Sequence, residues 1–244
     1  MRVLIISDIH ANQVALETVL ADAAGSYDAA WCLGDLVGYG PNPNECVEIV
    51  RGLPGLVCLV GNHDKAVLGE IDLSVFNGDA RSAIAWSQSV ITPGTLDYLR
   101  ALPARDQRGD YTLAHGSPRQ PVWEYILDRR IAQENFPLIR TPYCVVGHTH
   151  MPIIYHQIGP DGECDEESPN YFRPRLLNGE RLIINPGSVG QPRDNNPAAA
   201  YAMLDTDAGI WEYCRVPYDV TETQSRMRAA RLSERLITRL AYGW

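Results

Sequence analysis

The chain has 244 residues, a formal net charge of −9 and a pI near 5.1. This length allows one α/β domain or two small ones, and a single domain of this size can bury a full core without disulfide bridges. The acidic balance argues against nucleic acid as the main partner, because nucleic-acid-binding proteins carry a basic footprint. A small phosphorylated substrate is compatible with it if bound metals supply local positive charge.

The N-terminal residues and the cysteines predict the cellular compartment of the protein. Five apolar residues precede Asp8, too few for a signal peptide, and no apolar run approaches the ~20 residues of a membrane helix. We therefore expect a cytoplasmic protein without a membrane segment. No two cysteines form a C-x-x-C pair and three lie in apolar strands, so we expect free thiols at Cys32, Cys46, Cys58, Cys144, Cys164 and Cys214.

Residues 1–60 predict alternating strands and helices. Asn12 can cap a first helix that Gly25 ends, and a second helix covers Glu45–Arg51. This β-α-β-α-β order favours parallel strands with helices on the faces of the sheet. The strands are predicted at Val3–Ile6, Ala29–Leu33 and Leu56–Val60.

Residues 74–103 interrupt this alternation with two predicted helices. The first covers Asp79–Val90, and the second has Thr92 as its N-cap and Pro93 as its first residue. The pair can form an outer packing layer. It can also partly cover the loop Asn62–Asp64, which it follows directly, and both interpretations stay open at this point.

Beyond residue 150 the pattern is β-rich. Gly159–Gly162 and Asn178–Gly179 are typical of turns, and the acidic stretch Asp161–Glu167 indicates a solvated loop. A helix is predicted over about 221–240, starting at Thr221 with Gln224 completing a capping box. The strands are predicted at Pro152–Ile158, Arg175–Leu177, Leu182–Ile184, Ala200–Leu204 and Trp211–Val216.

No internal repeat, linker or low-complexity tract divides the chain. We therefore predict one domain over residues 1–244, with two sheets packed together and helices outside. The C-terminal helix has an apolar face that could serve a homo-oligomer as readily as the core. This face consists of Met227, Leu232, Leu236 and Leu240.

Five short motifs, each after an apolar strand, together contain five of the six histidines, three aspartates and one asparagine, and of the histidines only His156 lies outside them. Two of these strands, Tyr111–Leu113 and Tyr143–Val146, come after the helical segment. Ligand-type side chains at the carboxyl ends of successive strands converge on one edge of an α/β sheet. Borderline metals take imidazole and carboxylate together, and two ions about 3.5–4 Å apart hydrolyse phosphoesters, so the pattern predicts a dinuclear metallohydrolase. The motifs are Asp8-Ile9-His10, Gly34-Asp35, Gly61-Asn62-His63-Asp64, His115-Gly116 and Gly147-His148-Thr149-His150.

The ordered series D-x-H, G-D, G-N-H-D, H-G and G-H-x-H resembles the signature of the calcineurin-like metallophosphoesterases, and it spans roughly residues 1–150. The stretch Asn185–Arg193 resembles one found in the small bacterial, phosphodiesterase-like members of that family. The resemblance implies a four-layer α/β/β/α fold, a two-sheet β-sandwich flanked by helices. It also implies hydrolysis of a phosphodiester or phosphomonoester by attack of metal-bound hydroxide.

The resemblance further implies the ligands of two divalent metal ions. The identity of the two metals is open among Mn, Fe, Zn, Ni and Mg, because site geometry and the availability of each metal in the cell decide it. Residues two apart point the same way in an extended chain, which would suit the paired ligands of the first and last motifs. The first metal would take Asp8, His10 and His150, the second Asn62, His115 and His148, and Asp35 would bridge both.

His63 has a different role in the resemblance, as the general acid that protonates the leaving oxygen. The pKa of a free histidine suits that task, although a loop histidine can also simply fix local structure. Arg193 and Arg119 are candidate phosphate clamps because the arginine fork suits phosphate, and a surface position is equally compatible with Arg119. Asn12 is a further candidate substrate contact.

The chain departs from the protein-phosphatase branch after its second strand. It has Gly38 and Tyr39 where that branch carries an Asp that orients the catalytic His and an Arg that holds phosphate. This difference argues against protein serine/threonine phosphatase activity and leaves His63 without an assigned partner. We expect a phosphodiester to be handled at least as well as a monoester. Ala11 replaces a glycine common in the first motif, and we expect little effect.

Three alternatives to a simple phosphoesterase stay open. A dinucleoside polyphosphate hydrolase shares the same core motifs, and a protein-phosphatase-like enzyme would also share them. A non-catalytic scaffold of the same fold would have lost its ligands or its general acid, whereas this sequence retains all of them.

Overall fold

The computed structural model describes residues 1–159 and 163–244, which form two mixed sheets of six strands each. The predicted two-sheet architecture is therefore confirmed. In chain order the strands are β1 (Arg2–Ile6), β2 (Ala29–Cys32), β3 (Val57–Cys58), β4 (Arg105–Arg108), β5 (Tyr111–Ala114), β6 (Tyr143–Val145), β7 (Ile153–Ile158), β8 (Glu163–Glu167), β9 (Arg175–Leu176), β10 (Leu182–Asn185), β11 (Ala199–Asp205) and β12 (Ile210–Val216).

Eight α-helices lie in the described residues, together with 3-10 turns at Leu73–Val75 and Phe136–Leu138. They are α1 (Gln13–Asp22), α2 (Pro43–Arg51), α3 (Asn62–Val67), α4 (Gly78–Val90), α5 (Pro93–Ala101), α6 (Arg129–Asn135), α7 (Val220–Ala229) and α8 (Glu234–Arg239).

Each sheet contains a parallel half that carries the site. The first sheet has the order β3-β2-β1-β11-β12-β9, and the second has the order β4-β5-β6-β10-β7-β8. Strands β1, β2 and β3 pair in parallel, as do β5, β6 and β10, while the other pairs are antiparallel. All five ligand-bearing motifs directly follow one of these parallel strands.

Strand β1 shows why the sandwich has four layers. Side chains alternate between the two faces of a strand. In β1 Val3 and Ile5 pack in the core between the sheets, while Leu4 and Ile6 pack under helices. All four side chains are fully buried. A strand buried on both faces is a continuous apolar run, as this one is. The outer face of the second sheet packs against the segment around Phe136.

The two helices predicted within residues 74–103 are confirmed as α4 and α5. Thr92 caps α5, its side-chain oxygen accepting from the Thr95 N–H at 3.3 Å. Ile84 and Leu99 are buried in the core under the first sheet, so these helices form an outer layer. The residue that reaches the site is Phe76, just before α4.

The C-terminal helix differs from its prediction in cap and in length. Asp219, not Thr221, is the N-cap, accepting from the Glu222 N–H at 2.9 Å. Gln224 does not complete a capping box; its side chain donates to the Ile237 carbonyl at 2.9 Å, which ties α7 to α8. The single helix predicted to residue 240 is two helices, separated by residues 230–233.

The apolar face of this C-terminal segment belongs to the core. Its four residues are at most 8 % exposed and pack with helix α1 and strand β11 rather than facing solvent. A homo-oligomer would therefore need another surface, and it stays a prediction.

The acidic stretch is not the loop we expected. Glu163–Glu167 forms strand β8, which pairs antiparallel with β7 and places Glu167 opposite Ile154. Charged residues suit an edge strand because they discourage pairing with other chains. Part of this prediction, and most of the turn predicted at 159–162, lies outside the described residues.

Two smaller outcomes concern the third strand and the cysteines. Strand β3 is shorter than predicted, Val57–Cys58, because the chain leaves the sheet early to enter the site. All six cysteines are free thiols, and four of them are buried. Within the described ranges no helix is long and apolar enough to cross a membrane.

Candidate metal centre

The seven predicted ligand residues come together at the carboxyl ends of the parallel strands. Each is at most 2 % exposed. We call this set the ligand cluster: Asp8, His10, Asp35, Asn62, His115, His148 and His150.

The first group of the cluster forms around the loops after β1 and β6. The Nε2 atoms of His10 and His150 lie 3.0 Å apart. Asp8 Oδ1 lies 3.3 Å from His150 Nε2 and 3.8 Å from His10 Nε2. These three side chains therefore present their ligand atoms to one point.

The second group forms from the loops after β3, β5 and β6. His115 Nε2 lies 3.2 Å from both Asn62 Oδ1 and His148 Nδ1. Asp35 Oδ2 connects the two groups, 3.4 Å from His115 Nε2 and 3.6 Å from His10 Nε2. His148 and His150, though only two residues apart, thus belong to different groups.

Main-chain carbonyls determine which nitrogen of each imidazole faces the cluster. Since a carbonyl only accepts, the ring nitrogen that contacts it carries a proton, and in a neutral imidazole the other nitrogen presents a lone pair. His10 Nδ1 donates to Val37 at 3.2 Å, His115 Nδ1 to Leu33 at 3.0 Å, His148 Nε2 to Trp123 at 3.1 Å and His150 Nδ1 to Gln191 at 2.6 Å.

The donor set fits metal cations. The lone pairs of His10 Nε2 and His150 Nε2 point at one another across 3.0 Å, and the carboxylate oxygens Asp8 Oδ1 and Asp35 Oδ2 are buried without a hydrogen-bond partner. Buried acceptors with no donor are costly. A divalent ion in each group would satisfy all of these atoms at once.

Electrostatics shows the same demand for positive charge. Burial lowers the pKa values of His10, His148 and His150 well below the ordinary value, which keeps them neutral. Burial would lower the pKa of His115 too, but the adjacent Asp35 carboxylate outweighs it and raises that pKa to about 9. The centre of the cluster therefore attracts a cation.

The backbone of the site corrects one expectation. The pairs Asp8/His10 and His148/His150 are not in extended chain, because all four residues, and Asp35, have φ between 50° and 68°. Residues other than glycine rarely adopt this left-handed backbone region, which costs of the order of 1–3 kcal/mol for each residue. Tight turns rather than strand alternation aim the ligands.

Asp64 is a structural residue that the sequence reasoning did not assign. Its buried carboxylate accepts from the backbone N–H groups of Asp35 at 2.9 Å, Val37 at 3.1 Å and Gly61 at 2.9 Å. It therefore joins the loop after β2 to the loop after β3. Its position beside Asn62-His63 was the available signal.

The stretch Asn185–Arg193 holds the loops of the first group. Asn185 donates to the Gly147 carbonyl at 2.7 Å, and the Ser188 hydroxyl donates to the Asp8 carbonyl at 2.8 Å. These contacts explain in physical terms why this stretch accompanies the five motifs.

His63 lies beside the cluster, buried, with rings on three sides. Its ring centroid is 4.4 Å from that of Tyr39, 4.9 Å from that of His10 and 5.2 Å from that of Phe76. Its Nδ1 has no hydrogen-bond partner, and burial lowers its pKa to about 4. A Cβ at Gly38, where φ is +87°, would come within 2.5 Å of Nδ1. Aromatic packing, not a carboxylate at position 38, thus orients this ring.

The two arginines predicted to contact phosphate have different surroundings. Arg193 lies partly buried near the cluster, above the Tyr39 ring, with its Nε unpaired. The prediction that Arg119 is a phosphate clamp is wrong, because its guanidinium group is paired with Glu124 and Glu134.

Asn12 acts as the predicted helix cap, its Oδ1 accepting from the Ala15 N–H at 3.2 Å. Its Nδ2 donates to the Gly190 carbonyl at 2.9 Å, and Oδ1 also accepts from Thr223 at 3.1 Å. These contacts explain its burial without a substrate, and its role as a substrate contact gains no support from them.

Three aromatic residues that the sequence reasoning missed border the cluster, and we call them the aromatic rim: Phe76, Trp123 and Tyr125. Phe76 packs edge-on against Trp123, with ring centroids 5.5 Å apart. The Tyr125 ring stacks on His148 at 3.6 Å. No spacing in the sequence marks them, because they reach the site through loops.

Comparisons with known proteins agree with this geometry. The model of the calcineurin-like phosphoesterase superfamily domain matches residues 1–209. A crystal structure of a metallophosphoesterase from Sphaerobacter thermophilus is 48 % identical, with a TM-score of 0.90 over 100 % of this chain and 99 % of that one. The chain therefore belongs to the calcineurin-like phosphoesterase superfamily, a family of hydrolases.

Two further relatives give less specific information. An uncharacterized protein of Methanocaldococcus jannaschii is 37 % identical over 98 % of this chain and 97 % of its own length. A symmetrical bis(5'-nucleosyl)-tetraphosphatase of Aromatoleum aromaticum is 29 % identical over 68 % of this chain, and the match spans 57 % of that relative's length.

Proposed function

We propose that the chain is a dinuclear metal-dependent phosphoesterase that hydrolyses a small phosphodiester or phosphomonoester, with His63 as general acid. Two divalent ions would be held by the ligand cluster, Asp35 bridging them. When bound, such ions neutralise the charge of the phosphoester and lower the pKa of a coordinated water.

One observation carries this proposal. Four imidazoles donate outward to main-chain carbonyls and turn their other nitrogens inward, toward two buried carboxylate oxygens that have no hydrogen-bond partner. Burial keeps His10, His148 and His150 neutral, so their inward nitrogens are unprotonated. A hydrogen-bonded polar core would have paired these atoms with one another. This arrangement also disfavours a non-catalytic scaffold, since ligands and general acid are retained together.

The other residues of the site contribute orientation and charge. His63 is held by the Tyr39 and Phe76 rings beside the cluster, where it can give a proton to the leaving oxygen. The negative charge of a bound phosphoester would favour the protonated form of His63. Arg193 adds the positive contact for a non-bridging phosphate oxygen.

A dinucleoside polyphosphate hydrolase is the second candidate. It is supported by the tetraphosphatase relatives, which the chain matches over about half to two thirds of their length. A protein-phosphatase-like activity is less favoured, because Gly38 packs against His63 and leaves no space for an orienting carboxylate.

The test is hydrolysis of bis(p-nitrophenyl) phosphate, p-nitrophenyl phosphate and diadenosine tetraphosphate, each with Mn, Fe, Zn, Ni and Mg added to metal-depleted protein. We expect metal-dependent turnover, with the diester cleaved at least as well as the monoester. The matched control is His156→Gln, because His156 lies on β7 away from the cluster. Absence of turnover with every metal, at two bound ions per chain, would contradict the proposal.

A further inference from the structure

The side chains of Trp123 and Tyr125 are large, apolar and unusually accessible for their position. They are 37 % and 39 % exposed, although the ligand cluster beside them is buried. Scattered exposed aromatics need no explanation, but aromatic residues grouped at a cluster of chemical groups mark a binding surface.

The aromatic rim lies between His63 and His148. Phe76 contacts the His63 ring at 5.2 Å and the Trp123 ring at 5.5 Å. The Trp123 carbonyl accepts from His148, and the Tyr125 ring stacks on that same imidazole. A phosphoester held at the cluster would therefore have this rim beside it, on the side of His63.

The loop that carries Trp123 and Tyr125 is held in place by the residue between them. The Glu124 carboxylate accepts from the Ser117 hydroxyl at 2.7 Å and from the Asn135 amide at 3.0 Å, and it pairs with Arg119. At Gly116 the loop packs so tightly that a Cβ would lie 2.9 Å from the Glu124 carbonyl. A loop fixed in this way presents its rings without an ordering cost at binding.

We propose that the aromatic rim binds a planar ring of the substrate, and that the substrate class is a nucleoside 5'-phosphoester. This inference rests on the phosphoesterase function proposed above, because the phosphoryl group at the cluster places the ring. A base stacked on Trp123 would cover the accessible indole ring, whereas an alkyl or sugar phosphate has no planar ring to stack there. The leaving oxygen beside His63 would then belong to the same end of the substrate.

The test compares two ligands that share a 5-phosphate and differ in the base. The dissociation constants of adenosine 5'-monophosphate and ribose 5-phosphate are measured by calorimetry on the metal-loaded protein, each as the phosphonate in which a methylene replaces the ester oxygen, so that the proposed hydrolysis cannot consume the ligand. Stacking on one aromatic side chain predicts that the nucleotide binds about tenfold tighter or better.

Three variants locate the effect. Trp123→Ala should bring the ratio of the two dissociation constants toward one, and Trp123→Phe should retain most of it because a ring remains. Phe172→Ala is the matched control, since Phe172 is 95 % exposed and is not part of the rim. The carbonyl of Trp123, which contacts His148, is unchanged by these substitutions.

The outcomes separate this inference from the function on which it rests. Equal affinities in the unmodified protein, a ratio unchanged in Trp123→Ala, or loss of both ligands together in that variant would each overturn the inference. Turnover of simple chromogenic esters would stand in all three cases. Preferential binding of the nucleotide without hydrolysis of any phosphoester would support the rim and contradict the proposed enzyme.

Discussion

The ligand cluster and the aromatic rim adjoin each other but differ in burial and in origin. The cluster residues are at most 2 % exposed and follow directly from the ends of parallel strands, whereas Trp123 and Tyr125 are more than one-third exposed and lie on a loop. Tight turns anchored at the ends of rigid strands hold the groups that need fixed geometry, and the loop of Trp123 and Tyr125 supplies the surface that meets a ligand.

The difference predicts how the two regions respond to substitution. Changes in the cluster should remove metal, turnover or folding, because each residue has several buried partners. Changes at the edge of the site should alter affinity and leave the metals in place.

Asp35→Ala should have the largest effect. Its Oδ2 lies between the two groups, and its Oδ1 accepts from the His63 N–H at 2.9 Å. We expect loss of at least one metal per chain and a fall in kcat/KM of about 10⁴-fold, several kcal/mol of charge stabilisation. Metal analysis and kinetics check this, with Asp97→Ala on α5, where Asp97 is 78 % exposed, as control. Full metal content in Asp35→Ala would refute the bridging role.

His63→Gln should reduce turnover by roughly 10²–10⁴-fold, the usual worth of a general acid. Metal content should stay near that of the unmodified protein if His63 is the acid rather than a ligand, although a nitrogen of its ring lies within 4.8 Å of ligand atoms of His10 and Asp35. The loss should shrink for leaving groups of low pKa, which need little protonation. Equal losses for good and poor leaving groups would exclude the acid role, and loss of metal would make His63 a ligand.

Asp64→Ala should lower the free energy of unfolding by about 3 kcal/mol, because it leaves three buried N–H donors unpaired. Urea denaturation measures this. Asp28→Ala is the matched control, since Asp28 accepts one backbone N–H at an exposed position, and should cost less than about 1 kcal/mol. A similar effect of both changes would show that Asp64 does not hold the two loops together.

Arg193→Ala tests the edge of the site at Tyr39. The Arg193 guanidinium lies 3.5 Å from the Tyr39 hydroxyl and donates to Gln191 Oε1 at 3.1 Å, and it is not one of the proposed metal ligands. We expect KM to rise about tenfold with kcat and metal content nearly unchanged, as when uniform binding is lost. Arg100→Ala, at an exposed position on α5, is the control. A fall in kcat with unchanged KM would instead place Arg193 at the transition state.

The sequence predicted the cluster because its chemistry leaves little choice. Asp, Asn and His are among the few residue types whose side chains bind metals, and the buried strands that precede them are visible as apolar runs. The same runs predicted both sheets, since a strand buried on two faces is apolar throughout.

The missed features depend on contacts between segments far apart in the chain. The polar strand β8 exists because β7 offers it a partner, which no local pattern shows. Trp123 and Tyr125 look like ordinary loop aromatics until Glu124 and the cluster are in place. The left-handed turns at Asp8 and His148 likewise result from tertiary hydrogen bonds, among them His148 N–H to Asp8 Oδ2 at 3.0 Å.

Ala11→Gly should have the smallest effect and isolates the backbone of the cluster. Ala11 is fully buried with φ +54°. Glycine relieves about 1–2 kcal/mol of left-handed strain. It also loses about 0.8 kcal/mol of methyl burial and adds unfolded-state entropy of similar size.

The free energy of unfolding should therefore change by less than about 1 kcal/mol, in line with the little effect expected from the sequence. Ala30→Gly is the matched control, because Ala30 is equally buried but lies in strand β2, where no such strain exists. There the lost methyl and the added entropy act together, and we expect a cost of about 1–2 kcal/mol. Equal costs at both positions would show that the turn after β1 stores no strain, and that the ligands there are aimed without it.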